Sequence, residues 1–307
     1  MRRQGLVLAF GTAVISGVSV FVNSYGVRVV RDATVYTTAK NLIAAVVLTL
    51  LLAGGVLAGR RTRDEGGRRA QRSSPRTWIG MAAVAVVGGS VPFVLFFSGL
   101  AHASSTHAAF VHKTLVVWVA LLAVPLLGER LGLLHYAAIG LLLAGQVALG
   151  GGLGGFRFGT GELMILAATL LWAVEVILVK RLLDAISPGV LAVARLGLGV
   201  VLLIGWVAVS GRWSALIGLS AEGWRWALLT GLLLAGYVAT WYRALALAPA
   251  VDVTAVLVVA AIITAALDAV VKGTVVTPQV GVGLALLGAG AGLITMARSR
   301  RTPAVAQ

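Results

Sequence analysis

Residues 106–131 read THAAFVHKTLVVWVALLAVPLLGERL, an apolar run that is long enough to cross a bilayer and ends at a charged pair. Similar runs recur along the chain, so that 59% of its 307 residues are hydrophobic and only 11% are charged. In a soluble domain about a quarter of the residues are charged. The composition therefore predicts an integral membrane protein and excludes an ordinary soluble enzyme.

Ten such runs are bounded by charged residues, glycine or proline. A helix needs about 20 residues to cross the hydrocarbon core, and the runs lack the strict alternation of barrel strands. Because backbone exposed to lipid must satisfy its own hydrogen bonds, each run is expected to be an α-helix. We therefore predict an all-α bundle whose ten transmembrane helices cover residues 6–22, 34–57, 78–100, 106–127, 133–150, 163–179, 189–209, 226–247, 251–271 and 279–296.

The basic residues indicate the orientation of the bundle. With ten spans, the side that holds both termini collects 16 of the 25 Lys and Arg residues, and the other side collects six. Cytoplasmic loops carry an excess of Lys and Arg, so we expect a multi-pass protein of the cytoplasmic membrane with both termini in the cytoplasm. The Arg-rich loop at residues 57–77 carries much of the net charge of +15 and is expected to lie at the membrane lipid on the cytoplasmic side. No nucleic-acid partner is therefore expected.

The two halves of the chain show a weak internal similarity. A shift of about half the chain places Lys40 opposite Arg195 and Gly128 opposite Gly273. Five spans per half is an odd number, so the second half must be inverted, as in carriers that hold substrate at the interface between repeats. We therefore expect two inverted five-helix repeats, 1–155 and 156–298, and a cytoplasmic tail at 299–307. The alternative is a chance match between apolar sequences.

Several motifs are similar to those of the EamA-type carriers of the drug/metabolite transporter superfamily. They are AAFVHKT at residues 108–114, GERL at 128–131, LWA at 171–173 and YRAL at 242–245. The resemblance covers nearly the whole chain. It implies a ten-helix basket with a central cavity, and secondary transport, with export as the expected direction, of amino-acid-like or drug-like metabolites. Residues 272–274 lack the Gly-Glu-Arg-like ending that the family often has, so that role is not carried to the second half.

Polar and aromatic residues at helical spacing are the candidate lining of such a cavity, because polar groups on a lipid-facing surface are energetically unfavourable. The alternative is that small polar residues cement helix contacts and that aromatic residues fill the core or anchor at interfaces. The candidate substrate-binding residues, including charged residues within spans, are Ser16, Ser19, Asn23, Lys40, Lys113, Thr114, Trp118, Trp172, Glu175, Tyr237 and Trp241.

Charged residues inside the spans are costly, at about 2.5 to 3.5 kcal/mol each at a helix centre, and need compensation. Glu175 and Arg195 lie at matching depths in the sixth and seventh spans, which predicts a structural ion pair. Lys40 has no acid at the corresponding position, which favours a charge that is free for an anionic substrate group. Alternatively, Lys40 extends to the outer surface or meets Asp32. Lys113 with Asp268 would suit a zwitterionic substrate.

No metal, cofactor or catalytic site is predicted. His107 and His112 are about 140° apart around a helix and do not converge as ligands, while proton coupling through a histidine stays open. No Gly-x-Ser-x-Gly elbow or His-Glu-x-x-His motif occurs, so the protein is not expected to be an enzyme. An intramembrane enzyme and a channel are the competing classes, and within carriers the alternative substrate is lipid-linked or a nucleotide sugar.

Two further patterns concern packing. Gly140 and Gly281 begin four-residue repeats of Gly and Ala in the fifth and tenth spans, which predicts close contact between these helices, within one chain or across a homodimer. Pro92, inside the third span, is expected either to kink that helix or to free backbone carbonyls at a site.

Overall fold

In the computed structural model, the residues described are 1–57, 74–100, 102–103, 105–150, 159–297 and 300–301. Within these ranges, nine helices are long and apolar enough to cross a membrane, and Leu133–Leu149 is a shorter apolar helix. The predicted all-α bundle of ten spans is confirmed. In chain order the spans are Arg2–Val29, Ala33–Leu57, Pro75–Leu100, Ser105–Lys113 with Leu115–Leu127, Leu133–Leu149, Thr160–Leu182, Pro188–Val209, Ala221–Leu247, Ala250–Leu257 with Ala260–Lys272, and Pro278–Met296; a short helix, Trp213–Ile217, follows the seventh span.

The ends of several spans are encoded locally. Ser74, Ser187 and Thr277 each precede a proline and accept a hydrogen bond from a backbone N–H three residues later, so the third, seventh and tenth spans begin there. Gly128 and Gly273 end the fourth and ninth spans with φ of 64° and 66°. Glycine adopts this left-handed conformation at little steric cost. The two glycines occupy corresponding positions in the two halves.

Contacts between spans repeat when the two halves are exchanged. The first span packs on the eighth and ninth, and the sixth packs correspondingly on the third and fourth. The second and eighth spans are in contact, as are the seventh and third. The pairs second–seventh, fourth–ninth and fifth–tenth each join equivalent helices and so lie along the axis that relates the halves. The predicted inverted repeats are confirmed, although the boundary expected at 155/156 lies outside the described residues.

The fifth and tenth spans pack closely within one chain, but through other glycines than those predicted. A Cβ atom on Gly145 would lie 2.8 Å from the carbonyl oxygen of Gly283, so the two backbones approach directly. A Cβ atom on Gly140 or Gly281 would meet nothing within 4 Å. The predicted face is therefore wrong. Small residues occur on several sides of both helices, and the contact selects only one side.

Two short strands join the connection after the fourth span to the C-terminal segment. Glu129–Arg130 pairs antiparallel with Arg300–Arg301. The segment predicted as a tail from residue 299 therefore includes a short strand, while residues 302–307 lie outside the described part. Much of the basic loop at residues 57–77 also lies outside it.

Candidate functional site

Two adjoining cavities lie between the halves of the bundle. The central cavity, about 200 Å³ in volume, is lined by side chains of the first, third, fourth, sixth, seventh, eighth and ninth spans. The distal cavity, about 540 Å³ in volume, lies in the half of the bundle away from the termini. Both are lined by Val20 and His112, so they meet at these side chains.

The fourth and ninth spans are interrupted where they pass these cavities. Helical structure in the fourth span ends at Lys113 and resumes at Leu115, and in the ninth it ends at Leu257 and resumes at Ala260. The two interruptions fall at corresponding positions of the inverted halves. In transporters, interrupted helices at such positions occur at substrate sites. Here the backbone N–H groups of Thr114, Val258 and Val259 still donate to carbonyls three or four residues earlier, so both interruptions are tightened turns.

A buried ion pair forms one wall of the central cavity. The Nε atom of Arg195 lies 2.8 Å from Glu175 Oε1, and Nη2 donates a hydrogen bond of 3.1 Å to Oε2. The hydroxyl of Tyr242 donates a 2.6 Å hydrogen bond to Oε1. The expected contact between the two charged residues is therefore present, with one charge-assisted hydrogen bond and a second close approach of opposite charges. Arg195 Nε and Nη1 are both buried without a hydrogen-bond partner among the described residues.

A π-helical turn in the third span supports this pair. The carbonyl of Gly88 accepts hydrogen bonds from Arg195 Nη2 at 3.2 Å and from Trp172 Nε1 at 3.3 Å. Pro92, four residues later, has no N–H to donate to that carbonyl. The chain forms a π-helix over Ala85–Ser90, a distortion common at functional sites. Pro92 is thus associated with a carbonyl that is available at a site, the second of its two expected roles.

Glycine at position 88 is also required sterically. A Cβ atom there would collide with the carboxyl carbon of Glu175. Neither Gly88 nor Tyr242 was among the candidate residues. The signal that could have identified Gly88 is its position four residues before Pro92, where a proline removes the helical donor.

Aromatic side chains form a second part of the wall of the central cavity. The rings of Tyr237 and Trp241 are stacked, with centroids 6.0 Å apart. Trp172 contacts three rings, with centroid distances of 5.5, 5.7 and 4.9 Å to Phe93, Phe96 and His112. Sequence reasoning missed the two phenylalanines, because an apolar ring next to a cavity and one next to lipid leave the same pattern.

The polar face of the first span divides between two roles. Ser16 and Ser19 line the central cavity. Asn23 lies beyond them, where its Nδ2 donates a 3.0 Å hydrogen bond to Ser19 Oγ. Its Oδ1 accepts a 3.2 Å hydrogen bond from Lys40 Nζ. Asn23 thus links the lysine to the cavity wall.

Lys40 itself is not among the residues that line the two cavities. Its ammonium lies 5.5 Å from the ring centre of Tyr36 and 5.6 Å from that of Phe97. Asp32, the alternative partner, instead pairs with Arg212 at 3.0 Å. The partners of Lys40 in the described part are therefore an amide and two aromatic rings.

The other candidates in the fourth span lie on different sides of the helix. Lys113 lines the distal cavity. Trp118 Nε1 donates a 3.0 Å hydrogen bond to Thr114 Oγ1, which donates to the carbonyl of Val111 at 2.6 Å. Neither Thr114 nor Trp118 is among the lining residues of the two cavities. The side chain of His107 lies outside the described part, in which no group of three His, Cys, Asp or Glu could hold a metal ion.

On the side that holds the termini, a set of polar contacts, here called the termini-side network, joins helix ends of the two halves. Glu129 accepts hydrogen bonds from the backbone N–H groups of Ala250 at 2.6 Å and Val251 at 3.2 Å, so its carboxylate caps the ninth span. Lys180 donates to the carbonyls of Leu245 and Ala248 at the end of the eighth span. Burial raises the pKa of Glu129, and the two amides and the Lys180 ammonium oppose that rise.

Asp252 is the common partner of the other charged side chains in this network. The carboxylate of Asp252 is fully buried and lies 2.8 Å from Arg2 Nη2 and 3.3 Å from His135 Nε2. Arg2 also donates a 2.9 Å hydrogen bond to the carbonyl of Ile294. The first, fifth, ninth and tenth spans are thereby joined on one side of the bundle, opposite the distal cavity.

Comparison with known proteins assigns this architecture. The model of the EamA-like transporter family matches residues 3–150 and 159–296, one match to each half. The chain belongs to this family. As an EamA-like protein it is therefore a multi-pass membrane transporter of the drug/metabolite type in general. Glu129 is the acidic residue of the GERL motif that resembles the family, and the structure gives it a capping role.

Solved structures support the same fold. One crystal structure, whose description states no function, aligns over 95% of this EamA-like chain and 98% of the solved chain. The TM-score is 0.75 and the sequence identity is 21%. At this identity the likeness shows the fold alone. Among curated proteins, none matches the chain.

Proposed function

We propose that this EamA-like protein is a secondary transporter that exports small metabolites across the cytoplasmic membrane by alternating access, without covalent chemistry. The observation that carries the proposal is the central cavity. It lies between the inverted halves, beside both interrupted spans, and combines the buried Glu175–Arg195 pair with the faces of Trp172, Tyr237 and Trp241. Export is inferred from the family resemblance.

The two ends of the bundle support alternating access. The termini-side network caps or joins helices of both halves at one end. The distal cavity extends the central cavity toward the other end. In carriers built from inverted repeats, rocking of one unit against the other exposes a fixed site alternately to each side. We propose that the structure represents the conformation facing away from the termini.

A direct test is transport by the full chain in liposomes. Purified protein is screened by thermal shift against metabolite classes, and a stabilising compound is then used in a counterflow assay. Saturable exchange of the unmodified compound supports a carrier. Non-saturating flux would indicate a channel, and chemically altered product would indicate an enzyme.

We predict that the termini face the cytoplasm, because Lys and Arg concentrate on their side. The chain has no Cys, so single cysteines report orientation without background. In intact cells, a membrane-impermeant maleimide should label Ser214→Cys, an exposed position between the seventh and eighth spans. It should label Arg68→Cys only after permeabilisation. The reverse pattern would invert the proposed orientation.

We predict that Trp241→Ala raises the apparent KM by about tenfold, since a stacked aromatic contact is worth about 0.5 to 1.5 kcal/mol beyond its buried area. Trp241 is buried and stacks on Tyr237, so Trp241→Phe is included to preserve packing and should give a smaller rise. Trp206→Ala is the matched control, because Trp206 is exposed on the outside of the bundle. Unchanged KM in Trp241→Ala, at normal membrane levels, would remove Trp241 from the site.

A further inference from the structure

Three polar side chains line the distal cavity without partners. Gln146 is only 7% exposed, and its Nε2 atom has no hydrogen-bond partner. The Nδ1 atom of His112 is likewise buried and unpartnered. Lys113 is partly buried and makes no hydrogen bond or ion pair in the described part of the chain. A buried polar group left unpaired is costly, so the Gln146 and His112 nitrogen atoms, beside the unpaired Lys113 ammonium, indicate a ligand that completes them.

These groups lie at a similar height in the bundle. Lys113 precedes Leu127, the end of the fourth span, by about 3.9 turns, and Gln146 follows Leu133, the start of the fifth span, by about 3.6 turns. The two spans are consecutive and antiparallel. The ammonium, the amide and the imidazole of His112 therefore lie at a similar depth in the wall of the distal cavity, and His112 also lines the central cavity.

The charge balance around the cavity identifies the missing partner as an anion. Asp268, the acid among the described lining residues of the distal cavity, has its Oδ1 atom 2.6 Å from Lys272 Nζ, so its charge is compensated although that oxygen makes no hydrogen bond among the described residues. Glu175 is already paired with Arg195. Lys113 is thus a cation without an acid in the described part, and a charge within a span needs compensation. The unpaired amide N–H of Gln146 adds a second donor for an anionic oxygen.

The rest of the distal cavity determines the body of the ligand. Its remaining lining is largely apolar, with side chains such as Val20, Phe96, Leu100, Val276 and Val280. Its volume of about 540 Å³ lies within the usual range for small-molecule sites, about 300 to 1,000 Å³. Such a cavity favours an apolar molecule that carries a single anionic group.

We infer that the distal cavity binds an organic monocarboxylate with an apolar body, whose carboxylate is held by Lys113 and Gln146. His112 Nδ1 can donate a third hydrogen bond in the tautomer that is protonated there. The inference deepens the proposed transport function by naming a substrate class. The central cavity then receives the same molecule through the junction at Val20 and His112.

The test compares a carboxylate with its neutral counterpart of similar shape. The full chain is placed in nanodiscs of neutral phosphatidylcholine, which contain no anionic lipid, and binding of 3-phenylpropanoate and 3-phenylpropanamide is measured by calorimetry. We expect the acid to bind at least about tenfold more tightly than the amide, a difference of about 1.4 kcal/mol. Lys113→Met should abolish that preference, and Gln146→Leu should reduce it.

Two further variants control for folding and for general charge. Lys113→Arg keeps the cation and should keep the preference, which separates loss of charge from loss of structure. Arg225→Met removes an exposed cation on the same side of the bundle and should leave the preference unchanged. Equal binding of acid and amide by the unaltered protein, or a preference that survives Lys113→Met, would overturn the inference.

Transport is scored separately so that the two proposals can fail independently. Counterflow of a neutral compound that stabilises the protein tests the carrier function in a way that does not depend on the charge of Lys113. If that exchange persists while the carboxylate preference is absent, the inference about the distal cavity is wrong and the proposed function stands. If the preference depends on Lys113 but no compound is exchanged, the site is supported and the proposed function is wrong.

Discussion

Replacing Glu175 with Gln, or Arg195 with Met, is expected to lower the free energy of unfolding by about 3 to 5 kcal/mol. Either change leaves the opposite charge buried, since the two residues are only 3% and 5% exposed. Glu175→Gln also weakens the hydrogen bond that the Tyr242 hydroxyl donates to the side chain at position 175. The measurement is the monodisperse fraction after extraction, together with the denaturant midpoint of the purified protein.

The double variant isolates the interaction between the two charges. Glu175→Gln with Arg195→Met strands neither charge, so it should recover part of the stability that each single change loses. Lys40→Met is the matched control for loss of a cation within a span, because Lys40 donates to the neutral Asn23 and no acid is stranded. It should remain folded. Well-folded but transport-inactive single variants without coupling would make Glu175 a proton or substrate site instead of a structural partner.

Glu129→Ala is expected to shift the bundle strongly toward opening on the side of the termini. Its carboxylate is 1% exposed and receives two backbone N–H groups at the start of the ninth span. Hydrogen bonds to a charged group are worth about 1.5 to 3 kcal/mol each, so a shift of about 3 kcal/mol, or about 100-fold in the conformational equilibrium, is reasonable.

The readout is access to the central cavity from the termini side. Ser16→Cys, an isosteric change at the cavity wall, is labelled in inside-out vesicles, where Glu129→Ala should increase the labelling rate. Glu222→Ala removes an exposed acid from the first turn of the eighth span, at the opposite end of the bundle, and should have little effect. Equal labelling rates in Glu129→Ala and the parent chain would show that Glu129 does not hold this side closed.

The span positions and their inversion could be predicted because they depend on local properties. A run such as residues 106–127 is apolar enough to leave water whatever its neighbours are. Ser187 before Pro188 starts a helix, and Gly128 ends one, through the conformations of a few adjacent residues. The match in depth between Glu175 and Arg195 was also readable, since depth follows from counting residues along two consecutive helices.

Only tertiary packing decided which face of each helix meets another helix, a cavity or lipid. In lipid, an apolar side chain meets surroundings of similar polarity whether it packs on a neighbouring helix or on an acyl chain, so hydrophobicity does not separate these environments. Phe96 at the cavity and Gly145 at the contact between the fifth and tenth spans therefore gave no distinctive signal. The meeting of Glu129 with the start of the ninth span joins residues 121 positions apart. Polar groups were detectable along the chain, but their partners come from distant segments, and only the folded bundle determines which of them remain unpaired.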